Sequence, residues 1–171
     1  MSDPKIRWPD TASSLTFLTR GRAMPMGISA RAGRDIVVSG TLSDAHTWNL
    51  VFLELLLRER GHRVTNLGSC VPDALLVAEC RRRRPDLVVV SSVNGHGFQD
   101  GRRMISEIRG CVDLERTPVV IGGKLGIGGA DDGSRETILR AAGFNRVFEE
   151  GATGLPEFLD YLESLESEVL L

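Results

Sequence analysis

The sequence predicts one α/β domain of the flavodoxin-like (Rossmann-like) class, a doubly wound parallel sheet of five strands in the order 2-1-3-4-5. Short apolar runs alternate with helical patterns along residues 35–165, and connections of this length favour right-handed crossovers between parallel strands. One run, Leu87–Ser91, is almost pure valine, which is typical of a central strand covered by helices on both faces. A ligand is therefore expected at the carboxyl ends of the strands, above the first and third of them.

Strands and helices are expected to alternate strictly. The strands are predicted at Ile36–Ser39, Arg63–Leu67, Leu87–Ser91, Thr117–Ile121 and Arg146–Phe148. The helices are predicted at Leu50–Arg60, Pro72–Arg84, Asp100–Arg109, Arg135–Ala142 and Leu155–Leu165. In the first helix Leu50, Leu53 and Leu57 recur at the spacing that places side chains on one helical face.

Glycine and proline mark the ends of these elements. Gly61 and Gly143 are expected to end the first and fourth helices, because glycine adopts the left-handed conformation that closes a helix. Pro72 is expected in the first turn of the second helix, and Pro85 separates that helix from the third strand. Ser134 is expected to cap the fourth helix.

Composition excludes several classes of protein. Of 171 residues, 42% are hydrophobic and 26% are charged, which is ordinary globular composition. The net charge of −2 argues against a dedicated nucleic-acid binder. The sequence has no apolar run of the length, about 18 residues, that a membrane span needs, and no secretory signal pattern at its start.

The three cysteines are odd in number and widely spaced. Cys70, Cys80 and Cys111 form no Cys-x-x-Cys pair, which argues against a disulfide framework and a zinc site. Free, buried or half-buried thiols are expected instead, and a reducing cytoplasm is the expected location.

Residues 1–33 differ from the remainder of the chain. They contain several prolines, serines and glycines and show no sustained periodicity. They are predicted to form an N-terminal arm that is partly disordered or docked on the surface. The folded domain is expected to comprise residues 34–171.

The loop after the first strand carries a carboxylate and an imidazole two residues apart, Asp44 and His46. At this spacing the carboxylate can hold one ring nitrogen, which leaves the other nitrogen to bind a metal ion or to move a proton. The loops Ser91–Gly97 and Gly122–Gly129 follow the third and fourth strands with small and polar residues. Three such loops at one sheet edge predict a ligand site.

Phospho-accepting receiver domains share this fold class, so a receiver domain is an alternative interpretation of the sequence. A receiver needs an acidic pair after the first strand and an aspartate at the end of the third. This chain has a single carboxylate in the first loop, and its third strand ends in Ser91-Ser92. The sequence therefore excludes the receiver chemistry.

These residues resemble the motifs of a known family. The stretch Asp44–Asn49 is similar to the Asp-x-His-x-x-Gly signature of cobalamin-binding domains. Ser91-Ser92-Val93 resembles the Ser-x-Leu element of that family, and Gly122-Gly123 its Gly-Gly element. The loops that follow both elements look most like those of the small subunit of glutamate mutase.

The resemblance implies a cofactor and a role for each motif. His46 would be the lower axial ligand of cobalt, in place of the dimethylbenzimidazole base of adenosylcobalamin, and Asp44 would hold its other ring nitrogen. The displaced nucleotide tail would enter the domain beside the first strand. There Ser91 would bind the benzimidazole, and Gly122 and Gly123 would let the backbone approach the tail. The implied cofactor-binding residues are Ser43, Asp44, Ala45, His46, Thr47, Asn49, Ser91, Val93, Gly95, Gly122 and Gly123.

The chain departs from the family pattern at two positions. Asn49 stands where the signature has glycine, and Val93 where it usually has leucine. Asparagine tolerates a left-handed backbone, but its side chain is expected to crowd the mouth of the tail channel beside Trp48. Of the other histidines, His62 is expected to be a solvated turn residue, and His96 is a candidate for contact with the cofactor or a partner.

The function implied by the resemblance is that of a cofactor-carrying subunit. The chain would be the small subunit of an adenosylcobalamin-dependent carbon-skeleton mutase, most simply glutamate mutase, inactive without a large TIM-barrel subunit that holds the substrate. The small subunit of an acyl-CoA mutase, a corrinoid methyl carrier and a non-catalytic cobalamin-binding sensor remain alternatives.

Overall fold

The computed structural model of the protein describes residues 33–127 and 133–168, with side chains up to residue 165. Within these ranges no helix has the length and apolar character needed to cross a bilayer. The predicted N-terminal arm lies outside the described residues except for Gly33. The arm therefore stays a prediction.

The described residues form a five-stranded parallel sheet in the order β2-β1-β3-β4-β5, which confirms the predicted class and strand order. The strands are β1 Asp35–Gly40, β2 Arg63–Asn66, β3 Leu87–Ser92, β4 Val119–Gly123 and β5 Arg146–Glu149. The helices are α1 Trp48–Glu59, α2 Asp73–Arg83, α3 Gly97–Arg109, α4 Ser134–Ala142 and α5 Gly154–Glu168. A short 3-10 helix at Val112–Leu114, which the sequence did not predict, precedes β4.

Two hydrophobic cores lie on opposite faces of this sheet, as a doubly wound fold requires. One core packs β3 and β4 against α2, α3 and α4, and its largest buried side chains include Met104, Ile105 and Leu139. The other packs the sheet against α1 and α5 around Leu50 and Phe158. Alternating residues of β1, β3, β4 and β5 therefore pack into both cores.

Several element ends differ from the sequence expectation for identifiable reasons. The strand β4 begins at Val119 because Pro118 has no N–H to donate to a sheet ladder. The strands β3 and β4 continue one and two residues further than predicted, since the ladder extends to the pair Ser92 and Gly123. Gly133, with φ +86°, occupies the cap position before α4, so the predicted Ser134 cap was wrong.

The turn between α1 and β2 holds a buried histidine. His62 is only 6% exposed, and its Nδ1 accepts a hydrogen bond from the Arg34 backbone N–H at 3.3 Å. The expectation of a solvated turn residue was therefore wrong. The cause is that the chain entering β1 passes against this turn, so closely that a Cβ on Gly33 would overlap the Gly61 carbonyl oxygen.

The three cysteines are free thiols, as predicted, but their environments differ. Cys80 is fully buried in α2, and burial raises the pKa of its thiol to about 12. Cys111 is half-buried. Cys70 is exposed, contrary to the expectation, because it lies with φ +52° in the loop after β2 rather than inside an element.

This difference predicts the order of thiol modification. At pH 8 a maleimide reagent should modify Cys70 in the native chain, whereas Cys80 should react only after unfolding, because its thiol is both inaccessible and protonated. Peptide mapping by mass spectrometry after timed quenching measures the rates. Modification in denaturant provides the control, and equal native rates at Cys70 and Cys80 would contradict the packing of α2.

Candidate functional site

The carboxyl ends of β1, β3 and β4 lie side by side. In the sheet register Gly40 is opposite Ser91, and Ser91 is opposite Gly122. The loops that follow these strands therefore start at the same edge, as the sequence predicted. The β1 loop, residues 41–47, and the β3 loop, residues 93–96, are joined by side-chain hydrogen bonds.

The Asp44 carboxylate connects the two loops. Its side chain is 1% exposed. Oδ2 accepts hydrogen bonds from the backbone N–H groups of Val93 at 2.6 Å and Asn94 at 3.2 Å. Oδ1 accepts the backbone N–H of His46 at 3.0 Å and contacts its Nδ1 at 2.7 Å. One buried carboxylate thus fixes both the β3 loop and the imidazole.

The ionisation of Asp44 determines which ring nitrogen of His46 carries the proton. Burial alone would raise the pKa of Asp44, but the hydrogen bonds donated by Val93 and His46 hold it below its ordinary value. An ionised carboxylate only accepts hydrogen bonds, so Nδ1 carries the proton. The His46 side chain is 52% exposed, and among the described residues its Nε2 has no partner, so this nitrogen can bind a metal ion.

A second buried carboxylate, Asp100 of α3, supports the β1 loop from the opposite side. It accepts hydrogen bonds from the Ser43 N–H at 3.1 Å and the Ser43 hydroxyl at 2.5 Å. Arg103 binds both Asp100, at 3.1 Å, and Asp73 of α2, at 2.5 Å. The network fastens the loop to two helices.

The sequence reasoning did not identify Asp100 as part of the site. Asp100 lies four residues before Met104, on the buried face of α3, and is 7% exposed. A carboxylate on the apolar face of an amphipathic helix was the available signal. Asn94 was also overlooked, although its Nδ2 donates to the Ser43 carbonyl at 2.9 Å.

A cavity of about 260 Å³ opens between α1 and α5. Its floor consists of residues of β3, β4 and β5, and none of its lining residues belongs to β1, beside which the tail channel was expected. Most of its walls are apolar, with Leu53, Val89, Val120, Phe148 and Phe158 among them. Its polar lining residues include Asn49, Ser91, Glu149 and Glu150.

Asn49 lies in the first turn of α1 and is 5% exposed. Its Nδ2 donates to the Ser91 hydroxyl oxygen at 2.8 Å, whereas among the described residues its buried Oδ1 has no hydrogen-bond partner. Because the residue is helical, it does not need the left-handed backbone that a signature glycine suggested. Asn49 and Trp48 both line the cavity.

The glycines of the site are required by the protein's own packing. A Cβ on Gly122 would approach the Phe148 carbonyl oxygen at 2.9 Å. Gly123 has φ +99°, and a Cβ there would overlap the Ser92 carbonyl oxygen. Gly95, with φ +86°, turns the β3 loop beside Ile127. The packing of the protein itself therefore requires glycine at these positions, whether or not a ligand binds.

The predicted site residues divide into two groups in space. Ser43, Asp44, Ala45, His46, Thr47 and Gly95 belong to the loops at the sheet edge. Asn49, Ser91, Val93, Gly122 and Gly123 line the cavity. No cluster of three or more His, Cys, Asp or Glu side chains within residues 33–127 and 133–168 could hold a metal ion. A metal at His46 would therefore need most of its ligands from elsewhere.

The chain matches a known domain and a curated relative. The family model for the B12 binding domain matches residues 34–159. The glutamate mutase sigma subunit of Halobacterium salinarum is 33% identical to this chain over 129 residues, which are 75% of this chain and 85% of that subunit.

Two solved structures share the fold. A cobalamin-binding protein from Desulfitobacterium hafniense is similar with a TM-score of 0.59 at 19% identity, over 75% of this chain and 58% of that one. The chemotaxis response regulator CheY4 of Vibrio cholerae is similar with a TM-score of 0.58 at 13% identity, over 78% of this chain and 98% of that one. At these identities the likeness concerns the fold alone.

The central position of Asp44 predicts a large effect of Asp44→Asn on stability. The amide would place an NH2 group against backbone N–H donors in a buried site, so the free energy of unfolding should fall by about 2–4 kcal/mol at pH 7. Urea denaturation measures the difference. The control Asp113→Asn removes an exposed carboxylate, paired with Arg81, and should leave stability nearly unchanged.

The same variant should alter the pH dependence of stability. A carboxylate whose pKa is lowered by folding stabilises the native state above its ordinary pKa of 3.8, and this contribution is lost as the pH falls through the lowered value. The difference between wild type and Asp44→Asn should therefore be full at neutral pH and shrink below about pH 4. A difference that is constant down to acid pH would argue against an ionised Asp44.

Proposed function

Since the chain belongs to the family of B12-binding domains, we propose that it is the cofactor-carrying small subunit of an adenosylcobalamin-dependent carbon-skeleton mutase, and that this mutase is glutamate mutase. The support is the family match together with the sigma-subunit relative, 85% of which is covered by this chain. The observation that carries the proposal is the buried Asp44 carboxylate that orients a half-exposed His46.

His46 is proposed as the lower axial ligand of cobalt. The corrin ring would supply the other ligands of cobalt itself, so the protein would need to add only one, and the single oriented imidazole of His46 fits this requirement. Because the Nδ1–H of His46 donates to the Asp44 carboxylate, Nε2 keeps the lone pair that can bind a metal. Ser43, Ala45, Thr47 and Gly95 shape the loops around the ring.

The apolar cavity between α1 and α5 is proposed to take the nucleotide tail of the cofactor. Its valine and phenylalanine walls suit a planar base, and the Ser91 hydroxyl can bind a ring nitrogen of that base. Val93, Gly122 and Gly123 would lie against the tail.

When bound, adenosylcobalamin would supply the radical chemistry of the rearrangement. This chain contributes the axial imidazole and the cradle for the tail. The substrate is proposed to bind a large TIM-barrel subunit. Exposed Leu42 and Ile127, 44% and 75% accessible, belong to the loops of the same sheet edge and suit a face that a partner covers.

The axial role of His46 can be tested by spectroscopy. Adenosylcobalamin added to the purified chain should give the absorption spectrum of a cofactor whose own base has left cobalt and has been replaced by imidazole. His46→Ala should abolish the imidazole-bound spectrum, whereas the control His96→Ala, which removes another exposed ring, should retain it. Identical spectra for wild type and His46→Ala would refute the assignment.

The proposed reaction can be tested by reconstitution. The chain with adenosylcobalamin should not convert L-glutamate to 3-methylaspartate alone, but should do so together with the large subunit of a glutamate mutase. His46→Ala should lower the reconstituted rate by at least about a hundredfold, a size typical of losing a metal ligand's support. Product formation is followed by chromatography. Rearrangement of an acyl-CoA substrate instead would contradict glutamate as the substrate.

A further inference from the structure

The helix α1 is apolar on the side that faces away from the sheet. Leu50 and Leu57 are buried in the core beneath it. The side chains that point outward at helical spacing are Trp48, Val51, Phe52 and Leu55, which are 65%, 49%, 47% and 63% exposed. A surface helix normally carries polar residues on this side, whereas a helix that is apolar all round is normally buried all round. This outer face of α1 therefore indicates a surface that another chain covers.

The outer face of α1 is the one place where such residues are grouped on a single helix among those that the structure describes. The other large apolar side chains that are exposed there each lie on a different element or loop: Leu42, Leu75, Val112, Ile127, Ile138 and Leu155. Single exposed apolar residues are ordinary in monomers, but contiguous ones mark protein–protein interaction sites. From Trp48 to Leu55 the stripe is about 10 Å long, because each helical residue adds about 1.5 Å.

The charges of α1 favour a second copy of the same helix as the covering chain. The exposed Glu59 lies in its last turn, whereas its first turn contains no acidic residue and Thr47 provides no side-chain cap. The first turn of a helix carries a partial positive charge, which a carboxylate stabilises. When two copies of α1 pack antiparallel, with Phe52 opposite Leu55 of the other copy, each Glu59 lies beside the first turn of the other helix. The helix is therefore complementary to itself.

The exposed area suits a reversible dimer. A buried aromatic side chain contributes about 150–250 Å², so the four side chains of the outer face expose roughly 400 Å² per copy. Two copies would bury roughly 800 Å² of apolar surface, and the flanking residues of the helix bring the total towards the lower end of stable interfaces, about 1,200 Å². We therefore expect a dissociation constant in the micromolar range.

We propose that the outer face of α1 is a dimer interface, in which α1 packs antiparallel against α1 of a second copy of this chain about a two-fold axis near Phe52 and Leu55. A two-fold interface brings the same surface of both subunits together, so each apolar stripe covers the other. Trp48 and Phe52 belong both to this face and to the lining of the cavity. The second copy would therefore also cover the outer side of the cavity.

The test is the mass of the purified full chain in solution, measured by sedimentation velocity over a range of concentrations without cofactor. The wild-type chain should change from monomer to dimer as its concentration rises through the micromolar range. Leu55→Glu places like charges on both sides of the two-fold axis, so it should raise the dissociation constant by at least about a hundredfold. Leu55→Lys should have the same effect for the same reason.

A mixture of these two variants tests the two-fold axis directly. Each should be monomeric alone, but together they should form a heterodimer, because opposite charges then meet across the interface. The control Ile138→Glu introduces the same charge at an exposed apolar position of α4, which is 42% accessible and packs on the other face of the sheet. It should dimerise like the wild type. Circular dichroism melting curves of all variants control for folding.

Each result supports or overturns the proposed dimer. A wild-type chain that stays monomeric up to high micromolar concentrations overturns the second copy and leaves the outer face of α1 to a different protein. A dimer that persists in Leu55→Glu, or that Ile138→Glu also dissociates, overturns the assignment to α1. A mixture of the two Leu55 variants that stays monomeric overturns the antiparallel pairing. The proposed function is unaffected by these results, because the absorption spectrum tests the role of His46 separately.

Discussion

The site depends on one buried carboxylate. Asp44 accepts hydrogen bonds from two loops that start at neighbouring strands, and its partners include the imidazole that is exposed at the sheet edge. Because a buried carboxylate without partners would be strongly unfavourable, the β3 loop and His46 must both stay in place for the charge to be tolerated. Asp100 adds a second such constraint from α3. The loop that carries His46 is consequently fixed by two buried carboxylates. The imidazole is therefore oriented before any ligand binds to Nε2.

The strand register explains why these groups meet. Gly40, Ser91 and Gly122 are aligned across β1, β3 and β4, so the residues that follow them leave the sheet at one level. Close strand and loop packing at this edge requires glycine at Gly122 and Gly123, where a side chain would overlap backbone oxygens. The glycines that resemble a cofactor motif therefore have a structural role of their own, and any contact they make with a ligand comes in addition.

Periodic patterns predicted the fold well because each is local. Valine-rich runs and helical spacing predicted the five strands and five helices of the described residues, and the strand order matches that of the flavodoxin-like class which this pattern indicated. The contacts within the site are not local: Ser43 meets Asp100 and Asn49 meets Ser91 across separate elements, and no spacing along the chain predicts them. His62 was misjudged for the same reason, since its burial comes from Arg34, on the segment entering β1. The family motif indicated loops that the structure brings together at one sheet edge, but it did not indicate that Asn49 would be helical, with a buried oxygen that has no partner among the described residues.

The two faces of the sheet contribute differently to stability and to binding. The face under α2, α3 and α4 is filled with large side chains such as Met104, Ile105 and Leu139, all nearly inaccessible. The face under α1 and α5 contains a cavity over the ends of its strands. Since stabilisation by packing depends on filled space, the closed face must supply much of what holds the domain together when no ligand is bound. A ligand that fills the cavity adds packing to the open face, so by linkage its binding must raise the stability of the whole domain.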